Sequence, residues 1–179
     1  MSFESEIKEI INNNKNANHI LFKYTWDIKT LDLNHIINTS KITKKFYIEY
    51  NKDDFFLGID NCIKYKPSNK EELLKLKNQT YNKYKIISKG EVINKSIKFF
   101  GIVPFDINSE FSFPWSDIPK SIFCIPKILI HKLNHKYYMT LHVKINSKSN
   151  IQKIINEKNK LKNVILNSKY KEYKKNKFN

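Results

Sequence analysis

Two long runs of strand-forming residues meet across a short turn, and few folds accommodate such a pair. Ser121 to Ile130 and Lys136 to Ile145 are joined through Leu133-Asn134-His135, a spacing that predicts an antiparallel hairpin. In the second run Tyr138, Thr140, His142 and Lys144 alternate with Tyr137, Met139, Leu141 and Val143, the two-residue period of a strand. Other segments carry the same signal. His19-Ile-Leu-Phe-Lys-Tyr-Thr-Trp26 reads as a strand. Phe46-Tyr-Ile-Glu-Tyr50 and Phe55-Phe-Leu-Gly-Ile59 form a hairpin across Asn51-Lys-Asp-Asp54, and a short strand around Cys62 to Tyr65 follows. Lys98-Phe-Phe-Gly-Ile-Val-Pro-Phe105 reads as a continuous apolar strand buried on both faces. Residues 84–95 are polar and read as loop, and Phe111 to Ser121 as an aromatic, proline-containing loop.

Helical periodicity appears between these runs. Ile7, Ile10 and Ile11 mark an amphipathic helix over 3–17, and Leu31 to Ile37 is a short helix or turn. Ser68 is placed to cap a helix over 69–82, with Leu73, Leu74 and Leu76 as its buried residues. Ile151, Ile154, Ile155, Leu161, Val164 and Ile165 stripe a helix from Asn150 to Asn167, packed on the sheet with its lysines outward, and residues 170–177 read as a frayed tail. The pattern is α+β, an antiparallel sheet with flanking helices. Residues 1–145 form the α+β region, and residues 146–179 a basic amphipathic helix and tail.

Composition narrows the function classes. The chain has 179 residues, long enough for one domain with a sizeable core. Lys, Ile and Asn number 33, 27 and 23, whereas Arg is absent and Gly occurs three times. These biases follow codon content in an AT-rich genome, which weakens any functional reading of the net charge of +16. Residues 144–179 alone hold 11 Lys against two Glu, 11 − 2 = +9, a basic end suited to RNA or an anionic surface. Without arginine, sequence-specific nucleic-acid reading is disfavoured, since lysine supplies only a point charge. No apolar run reaches the ~18 residues of a membrane-spanning helix. No signal peptide is evident, and Cys62 and Cys124 read as reduced core thiols of a cytoplasmic protein.

The residues by themselves outline no active site. His131 and His135 have the spacing of a helical metal pair but fall on a strand and its turn. Asp53 and Asp54 lie in a polar turn. Three scattered glycines form no phosphate loop. Aromatics such as Phe99, Phe100, Phe105, Phe111, Phe113 and Trp115 suit a core strand and its exit better than base stacking.

One ordered set of motifs is more telling. Phe99-Phe-Gly-Ile-Val-Pro-Phe-Asp106 is followed by Trp115, then Phe123-Cys-Ile-Pro126, then Tyr137-Tyr-Met-Thr-Leu141. This order resembles the N-terminal region of isochorismate synthases, in which F-G-G-x-x-F-D precedes a loop Trp, F-x-x-P and a Tyr-rich strand. Phe55-Phe-Leu-Gly58 and Phe46-Tyr47 also match, and the resemblance covers roughly residues 19–145. Ile102 stands in place of the second glycine and Pro104 in place of a small residue.

The resemblance implies an isomerase that moves the chorismate hydroxyl from C4 to C2 with Mg²⁺, in menaquinone or siderophore biosynthesis. In that family a lysine base, a glutamate acid and the metal-holding glutamates lie in the C-terminal half. The base belongs to a K-V-V-L-A-R motif, of which Lys162-Asn-Val-Ile-Leu-Asn167 is a helical echo lacking the arginine. No catalytic, cofactor-binding or metal-binding residue is therefore assigned here. The implied protein is the N-terminal portion of a truncated or split synthase, supporting a catalytic half that binds chorismate and Mg²⁺, supplied for example by a second polypeptide. The alternatives are a small basic module binding RNA or anionic surfaces, and a decayed gene product.

Overall fold

A computed structural model describes residues 2–14, 19–50, 54–92, 96–104, 121–133, 135–146 and 148–166. The elements are α1 (Phe3–Asn13), β1 (Ile20–Ile28), α2 (Leu33–Asn38), β2 (Lys45–Glu49), β3 (Phe55–Tyr65), α3 (Lys70–Lys83), β4 (Lys85–Gly90), β5 (Phe100–Ile102), β6 (Ile122–Leu133), β7 (Lys136–Ile145) and α4 (Ile151–Leu166). The fold is α+β. Six strands lie in the order β2-β3-β6-β7-β1-β4, and β5 joins β6 outside that path.

The hairpin of β6 and β7 forms as its sequence requires, with Leu133 opposite Lys136. His135 at the turn has φ +63°, the left-handed region that tight turns demand. One sheet face carries Ile20, Phe22 and Tyr24 of β1, Leu57 and Ile59 of β3, Ile128 and Ile130 of β6, and Met139 and Leu141 of β7 in a single buried cluster. α1 closes that face with Phe3, Ile7 and Ile10, and the stripe of α4 packs against it, Ile165 fully buried. Each such side chain contributes roughly 1.5–3 kcal/mol when removed from water. At the head of α1 the Ser2 hydroxyl accepts from the Ser5 amide at 3.2 Å.

Several expectations are corrected. Residues 85–90 are not loop: β4 runs parallel to β1, Ile20 opposite Lys85 through Thr25 opposite Gly90, so the sheet is mixed. Propensity missed it because only Ile86 and Ile87 are apolar, and tertiary pairing supplied the rest. The run 98–105 is not a strand buried on both faces. Only Phe100–Ile102 pairs, Phe100 is buried while Ile102 is 71% exposed, and Phe105 lies outside the described residues. Cys62 to Tyr65 is no separate strand but the end of β3, displaced by a bulge between Asn61 and Ile63. The cap of α3 is Asn69, whose Oδ1 accepts from the Glu72 amide at 2.9 Å. Ser68 precedes it, its amide and hydroxyl both donating to the Glu72 carboxylate. On that helix Leu76 is buried, but Leu74 is 71% exposed.

The parallel pair ends on a tight constraint. Gly90 has φ +102°, and a Cβ there would fall 2.2 Å from the Thr25 carbonyl oxygen. The next amide, Glu91, donates to that same oxygen at 2.9 Å. The Glu91 carboxylate returns to the Asp27 amide at 2.7 Å. Gly90→Ala is expected to destabilise the chain by about 1–3 kcal/mol, from the backbone conformation and the clash together. Urea unfolding checks this; an unchanged midpoint would show that β4 is not held this way.

Candidate functional site

The second sheet face is where polar chemistry gathers. Register places its residues in rows across the strands. Phe56 of β3 lies opposite His131 of β6, and His131 opposite Tyr138 of β7. In the next row Gly58, Leu129, Thr140 and Thr25 follow one another from β3 to β1. One row further, His142 of β7 faces Lys23 of β1, which faces Ser88 of β4. Polar side chains that alternate out of the apolar core thus converge on one patch.

A cavity of about 360 Å³ opens over this patch, bordered by Lys23, Thr25, Lys98, His131, Thr140 and Phe56 among others. Its floor is hydrogen-bonded: the Thr25 and Thr140 hydroxyls lie 2.9 Å apart and are buried. Its walls are aromatic, with Tyr50 stacked on Phe56 at 5.2 Å and His131 on Tyr138 at 5.0 Å. The Lys98 ammonium lies 5.1 Å from the Phe56 ring centroid. Lys23 is 5% exposed and its ammonium donates to the Ser96 carbonyl. Burial, reinforced by Lys98, pushes that ammonium down to about 8. Burial first, then Lys98 and Lys23, also lowers the His131 imidazole, whose Nδ1 makes no hydrogen bond among the described residues. Two ammonium groups over an aromatic wall can hold the carboxylate and ring of a small organic anion.

His142, beside Lys23, is fully buried, and neither ring nitrogen makes a hydrogen bond of regular geometry. Burial, then the Lys23 charge, pushes its imidazole down to about 3, while the nearby Pro126 carbonyl opposes the shift weakly. It is therefore neutral at pH 7.

The motifs noted in the sequence meet at the edge of this face. Phe100 pairs with Cys124 and Gly101 with Phe123. A Cβ on Gly101 would fall 2.3 Å from the Phe123 ring, and one on Gly58 would meet Pro126 at 3.2 Å and the Phe100 ring at 3.3 Å. The glycines are small because the neighbouring motif's aromatic rings and proline lie across them. Phe100, Cys124 and Leu129 form one buried cluster with Phe46 and Phe56 packed on it, which joins the motifs to the cavity wall.

A family model described as chorismate binding enzyme matches residues 5–179. The chain belongs to the chorismate-binding enzyme family. Among solved structures it is similar to MenF, the menaquinone-specific isochorismate synthase from Escherichia coli, with a TM-score of 0.54 and 10% sequence identity. That likeness shows the fold; it covers 94% of this chain and 34% of MenF. A comparison with curated protein sequences gives no match.

Against this family background, the residues singled out in the sequence scatter. His131 borders the cavity, but His135 sits at the exposed turn. Cys62 and Cys124 are free thiols, each pushed up to about 11, chiefly by burial, and so are protonated at neutral pH. Asp54 precedes β3; Asp53, Trp115, Phe111, Phe113 and residues 167–179 lie outside the described residues. Lys162 to Leu166 belong to α4. Among the described residues no three His, Cys, Asp or Glu side chains gather as a metal site. The carboxylates of Asp60 and Glu157 both face the Lys127 ammonium, a geometry that does not fit Mg²⁺. No helix among them is long and apolar enough to cross a membrane.

Sequence reasoning missed Lys23, Thr25, Thr140 and His142 as a group. The available signal was a lysine inside an apolar strand and a histidine inside another, but only register shows that they face each other.

The low value for His142 fixes the sign of a pH effect. Below the free-imidazole value of 6.5 the unfolded chain takes up a proton that the folded chain refuses. Stability therefore falls as pH drops from 6.5 toward 3, by up to about 1.4 kcal/mol per unit. His142→Leu should flatten that decline between pH 6.5 and 5, above the carboxylate range. Thermal melts across that interval test it, and an unchanged slope would mean that other groups carry the acid sensitivity.

Proposed function

We propose that this chain is the N-terminal part of an isochorismate synthase, supporting a catalytic part beyond these 179 residues, on the same polypeptide or a second one. The single observation that carries the reading is the interlock of motifs. The Phe-Gly strand, the Phe-x-x-Pro segment and the earlier glycine, far apart in sequence, pack on one another through Gly58, Phe100, Gly101, Phe123 and Pro126. Family membership and the likeness to MenF support it as well.

The chemistry assigned to the absent part is the transfer of the chorismate hydroxyl from C4 to C2. It requires an acid, a base and Mg²⁺ at the reacting carbons. The described residues bring no carboxylate cluster to supply them. Their contribution is support. β2 leaves Tyr47 and Ile48 exposed at one sheet edge, and β5 leaves Ile102 exposed. These are apolar edge surfaces on which a continuing fold can rest. The product would enter menaquinone or siderophore synthesis in the cytoplasm.

The test is a chorismate assay with Mg²⁺, on the chain alone and co-expressed with a polypeptide of the same genome that carries the lysine and glutamate motifs. The expected outcome is no conversion alone and isochorismate formation by the pair. Conversion by the chain alone would overturn the assignment of catalysis to the other part. A pair that neither associates nor reacts would overturn the reading itself.

A further inference from the structure

The cavity over the Lys23 face carries a charge pattern that selects among guests. Lys23 and Lys98 both border it, and its described lining residues include no Asp or Glu. The two cations are near enough for the Lys98 charge to press on the Lys23 ammonium. Like charges held together in a recess of low dielectric favour an anion beside them.

The recess is built by the fold rather than by surface side chains alone. Lys23 rises from β1 with 5% of its surface exposed, and its ammonium is fixed on the Ser96 carbonyl. Lys98 is exposed, with its ammonium 5.1 Å from the Phe56 ring centroid. The floor adds a neutral donor. Thr25 and Thr140 share one hydrogen bond, so one of their two hydroxyl hydrogens is left to give. Other lining is apolar or aromatic, with Leu129, Phe56 and His131 on the same sheet face. The His131 ring lies 5.9 Å from that of Phe56, and burial with the two lysine charges keeps it neutral at pH 7. Two cations and a hydroxyl thus meet flat apolar walls in about 360 Å³, near the small end of ligand pockets.

We propose that this cavity binds an aromatic carboxylate that carries no amino group. The carboxylate oxygens take Lys23, Lys98 and the threonine hydroxyl. The ring lies against Phe56, Leu129 and His131. An amino acid is disfavoured, because its ammonium would meet two lysines and no carboxylate. An inorganic anion would leave the aromatic walls unused. The inference stands on the cavity of this chain and not on the isochorismate synthase reading, so the binding test and the chorismate assay can fail separately.

The probe is benzoate, titrated into the full chain by calorimetry, with the His131 ring followed by NMR. Saturable binding that shifts the His131 resonances is expected. Lys23→Met removes the buried charge and should weaken binding at least ~10-fold; Lys98→Gln, at an exposed position, should weaken it at least ~3-fold. Lys160→Gln on α4, which packs on the opposite sheet face, removes the same charge and should change binding less than ~2-fold. Acetate, benzyl alcohol and phenylalanine should each bind at least ~10-fold more weakly than benzoate. An absence of saturation below ~10 mM would overturn the proposal, as would saturation that leaves His131 unmoved. Equal losses from Lys98→Gln and Lys160→Gln would reduce the effect to diffuse attraction and overturn it too, and any of the three comparison ligands binding as tightly as benzoate would do the same.

Discussion

Strand β6 is hydrogen-bonded along both edges, and every other strand joins it directly or by a chain of neighbouring strands. One edge carries β3 for nearly its whole length. The other is divided, β7 along Ile128 to Leu133 and β5 along Ile122 to Cys124. That division explains the rest of the architecture. It ends the β6–β7 ladder midway and gives the Phe-Gly strand its place. It also brings Gly101 under the Phe123 ring, so that a motif readable in the sequence becomes a contact in space.

The two faces of the sheet obey different physics. The α1–α4 face is apolar and close-packed, and its energetics are those of burial. The other face buries Lys23, Thr25 and Thr140 beneath a cavity, with His142 buried beside Lys23. Polar groups placed there lower stability unless bonded. Thr25 and Thr140 bond to each other, Lys23 to the Ser96 carbonyl, and His142 stays neutral. Such a patch places donors and cations at the cavity, which hydrocarbon in those positions could not provide.

Much of this was legible in the sequence because strong periodicity and turn chemistry agreed with the fold. The β6–β7 hairpin, β1, β3 and the stripe of α4 all announce themselves. β4 did not, since Lys85, Ser88 and Lys89 have no strand signal and pair only because β1 lies alongside. The long apolar run at 98–105 misled in the opposite sense, its hydrophobicity serving a short edge strand with Ile102 left outside. The motif set that resembled isochorismate synthases was readable as order along the chain. The facing of Lys23 and His142, and the cavity beside it, depend on register. Neither is encoded by any local run of residues.

The position of β1 in the sheet has a consequence for how the chain is made. β1 is complete once residue 28 has emerged, yet its neighbours are β4 and β7, the latter ending at Ile145. An early strand with Ile20, Phe22 and Tyr24 on one face must therefore wait for more than a hundred further residues, up to Ile145, before its ladder closes. Its apolar side is covered in the folded chain by α1, made just before it, whose Phe3 ring meets Tyr24 at 5.1 Å in an edge-on contact. Of the elements that cover that face, α1 is the one made before the strand, and α4 follows only after the hairpin.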